Sequence, residues 1–462
     1  MPLMRLIAEN IGPFERLDID FSDGNGKAHR GPHILAGVNG SGKSTVLRAI
    51  AWALSWGGEG FPEREWQHFL RGNNSRVAVH VAPSQGPAYV VRVIPQWDNG
   101  WDEVDELAAR LDLLDLKDPA ILSAHAPFRW TRFGQPPLGH PFTASAYAPV
   151  RALSYIDKPA STEQPTRSPE NSFGFESTIQ NSAIQRWWVD LFSRRALAKE
   201  RGQEFGAYEE TLARLQDAVK LICDDSDINL DVEFGPIIEP RVVFHGKKLN
   251  FSQLSDGVRS TVGWIADFMM RQDKGPKTIK EGLLLLDEID IYLHPKWQRT
   301  LLPAMRKALP DVQIIASSHS PFVISSCPDA RIHVLELDGA GVAHACPPQA
   351  APFGESVTAT LKDIFGVESR FDVQTDEDLK KWDELKREEA VGKLTQARRK
   401  RLEGLTGDLS ERSEELRMIV GSPGKLSANI LNSLTGLSAR KPSQVRSPKR
   451  NGTRALRSKK LR

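Results

Sequence analysis

The chain has 462 residues, 40% apolar and 26% charged, a balance that excludes fibrous and wholly disordered classes and leaves a globular protein of two or three domains, or one large α/β domain with insertions. No apolar run nears the roughly 18 residues of a membrane span, the N-terminus has no signal-peptide pattern, and three cysteines (Cys223, Cys327, Cys346) without CxxC spacing offer neither a disulfide framework nor a zinc site, so a cytoplasmic chain without membrane contact is expected. The formal charge of +2 is split, because residues 440–462 hold ten Lys/Arg and no acid while the body before them is acidic.

Leu17, Ile19 and Phe21 alternate with acids as in a half-buried strand, and residues 33–36 form a second apolar run that leads into a glycine-rich loop and the helical segment GKSTVLRAIAWAL. Val77, Val79 and Val81 alternate again and, across an SQGP turn, pair with residues 89–94 as an antiparallel hairpin decorating a mainly parallel sheet. Residues 127–175 are rich in Pro, Gly, Ser and Thr and read as an irregular connection. Helical spacing returns at Ile184, Trp187, Trp188 and Leu191, then at Leu212, Leu215, Val219 and Ile222, with no heptad run long enough for an extended coiled coil. A second hairpin, LDVEF and RVVFHGKKLNF, delivers the chain to LSDG, and beyond it strands (LLLLD, VQIIAS, IHVLEL) alternate with a helix at 295–308, the pattern of an α/β sheet. Residues 355–420 read as charged helices and the final forty as disordered.

The loop at 37–45, GVNGSGKST, fits G-x-x-x-x-G-K-[ST] between an apolar strand and a helix, the context that motif requires. Its glycines let backbone N–H groups converge on phosphates and the helix start adds positive potential; Gly37, Asn39, Gly40, Ser41, Gly42, Lys43, Ser44 and Thr45 form the candidate cradle. Lys43 is assigned to the β/γ-phosphates of ATP and Ser44 to Mg²⁺. In GLLLLDEIDIYLHP, Asp287 and Glu288 stand where a buried strand ends, the edge at which open α/β sheets bind ligands. Asp287 suits the metal and Glu288 the general base for an attacking water, although alone the three acids, with Asp290, also fit a solvated turn. His319 closes the strand VQIIAS, as a γ-phosphate sensor or a structural imidazole, and His294 before Pro295 suits a helix cap or a subunit contact.

Ser255 and Asp256 precede Val258, Val262, Ile265, Ala266 and Met269 at helical spacing, so LSDG opens a helix whose N–H groups and Ser255 hydroxyl form a second anion site. In the order GVNGSGKST, LSDG, LLLLDE and SHS, the sequence resembles the ABC-type ATPases of the SMC/RecF/OLD-like branch. ENIGPFERLDIDF, DEIDIYLHPKWQ, QIIASSHSPFVISS, AYAPVR (Tyr147, Arg151) and GESVTATLKDIFGVESR bring it nearest to small anti-phage defence ATPases of Septu PtuA-like and retron-associated type, over residues 3–372. Tyr292 stands where such ATPases often carry histidine, and Gln67 is only a weak match to their Q-loop glutamine.

The resemblance implies an α/β, ABC-type P-loop ATPase head: lobe I at 1–175, a helical insertion with a hairpin at 176–250, lobe II at 251–350, a helical extension at 351–420 and a basic tail at 421–462. It implies Mg²⁺-dependent ATP hydrolysis by Lys43, Glu288 and His319, a homodimer or higher even-numbered oligomer in which Ser255 and Gly257 act in trans, and a partner nuclease of HNH type acting on DNA. No histidine follows His344, which leaves no HNH module in the C-terminal part of the chain. A RecF/SMC-like repair or chromosome-maintenance clamp is the alternative, and LSDG in place of LSGGQ disfavours a transporter subunit. DNA contact is assigned to the basic tail and, less directly, to FRWTRF at 128–133.

Overall fold

The computed structural model describes residues 3–25, 27–54, 70–71, 75–81, 89–93, 143–149, 175, 179, 181–236, 238–273, 281–367 and 369–421. Gln67, FRWTRF, Arg151 and the basic tail lie outside the described residues. The chain divides into two compact units, the first ending at Phe365 and the second starting at Gly366.

The first unit is built on a seven-stranded sheet. Its strands β3 (His33–Gly37), β6 (Thr143–Tyr147), β10 (Gly282–Leu286), β11 (Val312–Ser317), β12 (Arg331–Leu337) and β13 (Ala343–Ala345) lie in the order β13-β12-β3-β11-β10-β6, with β14 (Gln349–Ala350) also on β12. The run from β12 to β6 is parallel throughout, and the short β13 and β14 pair antiparallel. Parallel strands need covering on both faces, and β10 shows why its sequence is a continuous leucine run. Leu284 and Leu286 enter one core with Ile314 and Ala316, while Leu283 and Leu285 enter the other with Ile315 and Leu35.

The first core is covered by α2 (Asn181–Glu200), α3 (Gly206–Ile222), α4 (Asp256–Gln272) and α5 (Pro295–Ala308), with a small antiparallel sheet of β7 (Asn229–Glu233), β8 (Glu239–Phe244) and β9 (Lys247–Leu249) beside them. The second core is covered by α1 (Lys43–Leu54) and by a separate antiparallel sheet, β2-β1-β4-β5, made of β1 (Leu3–Ile11), β2 (Phe14–Asp20), β4 (Arg76–Val81) and β5 (Tyr89–Val93). The β4–β5 hairpin therefore does not extend the parallel sheet. It joins β1 and β2 in a sheet of their own, and Gln313 of β11 reaches that sheet through its side-chain amide, which accepts from the Leu3 N–H at 2.6 Å and donates to the Leu3 carbonyl at 3.0 Å.

One expectation is overturned inside the stretch read as an irregular connection. Thr143–Tyr147 is a strand, pairing β10 in parallel from Thr143 against Gly282 to Tyr147 against Leu286. Its sequence, TASAY, is buried throughout with four of its five side chains small, so it shows neither alternation nor an aliphatic run.

The second unit is helical. The helices α6 (Val373–Ala390), α7 (Gln396–Arg412) and α8 (Glu414–Gly421) close on Leu379, Trp382, Leu402, Leu409 and Leu416. Asp372 caps α6 by accepting the Thr375 N–H at 3.0 Å, and Asp378 binds Arg412 at 2.7 Å, so the acids at 376–378 belong to a helix start and an inter-helix ion pair. Among the described residues no helix is long and apolar enough to cross a membrane.

Candidate nucleotide site

The loop after β3 owes its path to its glycines. A Cβ on Gly37 would stand 2.3 Å from the Leu335 carbonyl oxygen, and one on Gly42, at φ +92°, would strike the Phe14 ring at 2.3 Å. Gly40, at φ +81°, faces open space. The Lys43 ammonium folds back over this loop, donating to the carbonyls of Gly37 at 3.0 Å and Val38 at 2.9 Å. Burial lowers its pKa, and Asp287, Glu288 and Asp290 oppose that shift, which brings the lysine and the three acids into one electrostatic neighbourhood.

The loop fits a nucleotide phosphate on independent grounds. The Ser41 hydroxyl is fully buried with no hydrogen-bond partner, and a buried unpaired donor calls for an acceptor. The first-turn N–H groups of α1 add to it, and Asn39 and Gly40 leave the loop's crest exposed. Ser44 and Thr45 are half-buried in the first turn behind Lys43.

Asp287 follows β10, and its N–H donates to the Tyr147 carbonyl at 3.0 Å. Its buried carboxylate accepts the Ser317 hydroxyl at 2.6 Å, and that same hydroxyl accepts the Glu288 N–H at 2.7 Å. Glu288 itself has φ +45°, a left-handed conformation costly for a side-chain-bearing residue and found where an element end is forced to aim a group. One residue further, the Ile289 N–H donates to the Ser317 carbonyl at 2.9 Å, so the acidic turn is fastened to β11 at three points.

His319 follows β11, and its N–H donates to Asp290 at 3.3 Å while its ring stacks near Phe365 at 6.4 Å. Desolvation, then Lys43, lowers its pKa against the pull of Asp290, Glu288 and Asp287, so the imidazole is neutral at pH 7 and carries one donor and one acceptor nitrogen. Gln298 locks the two turns together. Its amide donates to the Asp290 and Leu293 carbonyls at 3.2 and 3.0 Å and its oxygen accepts from the Ser320 hydroxyl at 2.7 Å.

Ser255 stands at the N-cap of α4, exposed, with its hydroxyl making no capping bond. Gly257 is buried, because a Cβ there would lie 2.7 Å from the Tyr292 carbonyl oxygen and 3.4 Å from the Trp297 ring. The signature turn is thus seated on the loop after the acidic strand of its own chain. Arg259, unfavourable so near a helix start, pairs with Asp256 three residues earlier. His294 caps α5, its Nδ1 accepting the Lys296 N–H at 3.2 Å, which settles one of its two expected roles. Tyr292 is half-exposed at φ +64°.

The sheet therefore brings Lys43, Asp287, Glu288, Asp290 and His319 together at one edge. Among the described residues, no hydrogen bond joins Ser255 to that group. Ser317, Gln298 and Tyr147, which hold the acidic turn, lie in the stretches QIIASSHSPFVISS, DEIDIYLHPKWQ and AYAPVR, but the sequence assigned them no task, because that task follows from which strand lies beside β10.

Residues 33–325 match the family described as "AAA domain, putative AbiEii toxin, Type IV TA system". The chain is 23% identical over 384 residues to the Retron Vc95 probable ATPase of Vibrio cholerae serotype O1 biovar El Tor, an alignment covering 71% of this chain and 73% of the relative. It is 22% identical over 361 residues to the Septu protein PtuA of Bacillus thuringiensis, covering 73% and 76%. Among solved structures, the Smc head bound to the C-winged helix domain of ScpA aligns with 76% of this chain and 98% of its own at 13% identity and a TM-score of 0.43.

Proposed function

The chain belongs to the AAA-domain family matched over residues 33–325, and from that membership we propose that it is an ATP-hydrolysing switch of a bacterial anti-phage defence system, dimerising on ATP to control a partner nuclease that acts on DNA. The observation that carries the catalytic part is the common neighbourhood of Lys43, Asp287, Glu288, Asp290 and His319 beside a loop with an unpaired buried hydroxyl. The relatives named for Septu and for a retron support the defence setting.

In this reading the phosphate enters where the Lys43 ammonium now caps the Gly37 and Val38 carbonyls, and the lysine turns to the β/γ-phosphates. Ser44 and Asp287 would hold Mg²⁺, which supplies charge neutralisation at the phosphates. Glu288, aimed by its strained backbone, takes the proton of the attacking water, and neutral His319 donates to the γ-phosphate. The uncommitted Ser255 hydroxyl and the N–H groups above Gly257 face the γ-phosphate of the opposite protomer.

Two measurements test this. Glu288→Gln retains nucleotide binding, hydrolyses ATP about 10²–10⁴-fold more slowly by phosphate release, and accumulates as a nucleotide-dependent dimer by light scattering. Unchanged turnover removes Glu288 as the base. Cells carrying the native operon with Lys43→Ala lose protection from phage in a plating assay; unaltered plating removes the defence role while leaving the ATPase intact as a conclusion.

A further inference from the structure

Tyr147 joins two parts of the molecule that no motif connects. It ends β6, it is fully buried, and its carbonyl accepts the Asp287 N–H at 3.0 Å. Its phenol donates to Asp267 of α4 at 2.8 Å. Asp267 in turn holds Arg271 one helical turn later, Nε at 2.7 Å and Nη2 at 3.1 Å, with both side chains wholly buried. Burial and the Asp267 charge push the Tyr147 phenol well above its usual range, so it remains a donor at every working pH.

A buried ion pair adds little net stability, since desolvation offsets most of the attraction, and well-packed apolar residues serve a helix as well or better. What such a pair does supply is a single arrangement, because the buried polar groups around it must meet in one geometry. Here the third group is the Tyr147 phenol, which shares Asp267 Oδ2 with Arg271 Nε and also bonds Arg271, and Tyr147 is the residue whose backbone holds Asp287. Ser255 begins the same helix, 12 residues before Asp267 and so about 18 Å away along a rigid α4.

We propose that Tyr147 is a positioning residue that couples the Asp287 end of β10 to α4, so that nucleotide bound beside Asp287 sets the stance of the helix whose exposed Ser255 serves the opposing protomer. The proposal rests on the ATP-site assignment above. It makes the two composite sites of a dimer communicate through the interior of each protomer: occupancy in one site orients the donor offered to the other.

Tyr147→Phe keeps the ring and removes one hydroxyl. The test is hydrogen–deuterium exchange with and without Mg²⁺ and AMP-PNP, read separately over residues 37–47 and 262–272, together with steady-state ATPase kinetics. Nucleotide is expected to protect 37–47 in both chains and 262–272 in the wild type alone, while the variant's kcat falls about tenfold at unchanged KM, within the size of effect that a buried hydroxyl bonded to charged groups supports. Equal nucleotide-induced protection of 262–272 in both chains overturns the proposal. So does loss of kcat in step with weakened nucleotide binding and a lowered Tm, the pattern of a plain packing defect. Failure of nucleotide to protect 37–47 in the wild type is a different result, which removes the ATP site itself. Should Tyr147→Phe alone not fold, the triple change Tyr147→Phe, Asp267→Leu and Arg271→Met removes the same bonds without leaving a buried charge unpaired and carries the same comparison.

Discussion

Ser317 holds two atoms of the acidic turn at once, giving its proton to Asp287 at 2.6 Å and taking the Glu288 N–H at 2.7 Å. A hydroxyl shared in this way fixes the Asp287 carboxylate and the Glu288 backbone together, the kind of outer contact that orients a metal-holding carboxylate. Ser317→Ala is expected to raise the Mg²⁺ concentration for half-maximal ATPase by about 10-fold to 100-fold, with Mg²⁺-free nucleotide binding unchanged, measured by titrating metal at saturating ATP. An unmoved Mg²⁺ curve would mean that Asp287 is oriented without it. Lys43, Asp287, Glu288 and His319 were legible in the sequence because each sits in a motif a few residues long. Ser317 also adjoins such a motif, yet its task depends on the register of β11 against β10, which no single segment records. The Arg259–Asp256 pair was within reach of the sequence, being an acid and a base three residues apart at a helix start.

At the scale of elements, the contact between β3 and β12 places two histidines in the interior, with His33 Nδ1 and His333 Nε2 3.0 Å apart. One ring donates and the other accepts, an arrangement lost once both are protonated. Burial is the largest cause in both, driving His33 well below 6.5 and His333 to about 4. The unfolded chain takes up protons near pH 6.5 that the folded pair refuses, so stability is complete above that pH and falls as pH drops through the window from 6.5 to about 4. For His333 alone the shift amounts to about 3 kcal/mol. Urea midpoints taken from pH 7.5 to 4.5 should show this decline, and His333→Phe should flatten it; an equally steep decline in the variant would assign the acid sensitivity elsewhere. Strands with alternation or aliphatic runs, such as β2, β4 and β10, were readable because burial writes itself into their pattern. TASAY was not, since a strand of small residues buried on both faces carries no period, and the consequence was to leave Tyr147 in a presumed loop.

The whole molecule offers its nucleotide chemistry on two surfaces that differ in kind. Around β3, β10 and β11 the groups are interlocked by side-chain bonds, whereas the start of α4 presents a hydroxyl that its own helix does not use. A donor left uncommitted at a helix start, in a chain whose phosphate loop lies on another strand, suits a partner copy better than its own loop. If so, each active site needs Lys43 from one protomer and Ser255 from the other. Lys43→Ala and Ser255→Arg are then each inactive as homodimers, the first for want of a phosphate ligand and the second because a long cation fills the interface. Mixing them makes hybrids in which one site lacks both groups and the other has both intact. With random pairing about half the dimers are hybrid, each with one good site, so the mixture should recover about a quarter of wild-type ATPase if the sites act independently, and less if they are coupled through Tyr147. Phosphate release from the mixture, with hybrid formation verified by differential tagging, decides the matter. No recovery in verified hybrids would place Ser255 outside the site, whereas recovery that rises, as a fraction of the Tyr147→Phe homodimer's own ATPase, when Tyr147→Phe is added to both chains would show that the intact site had been held back by its disabled neighbour.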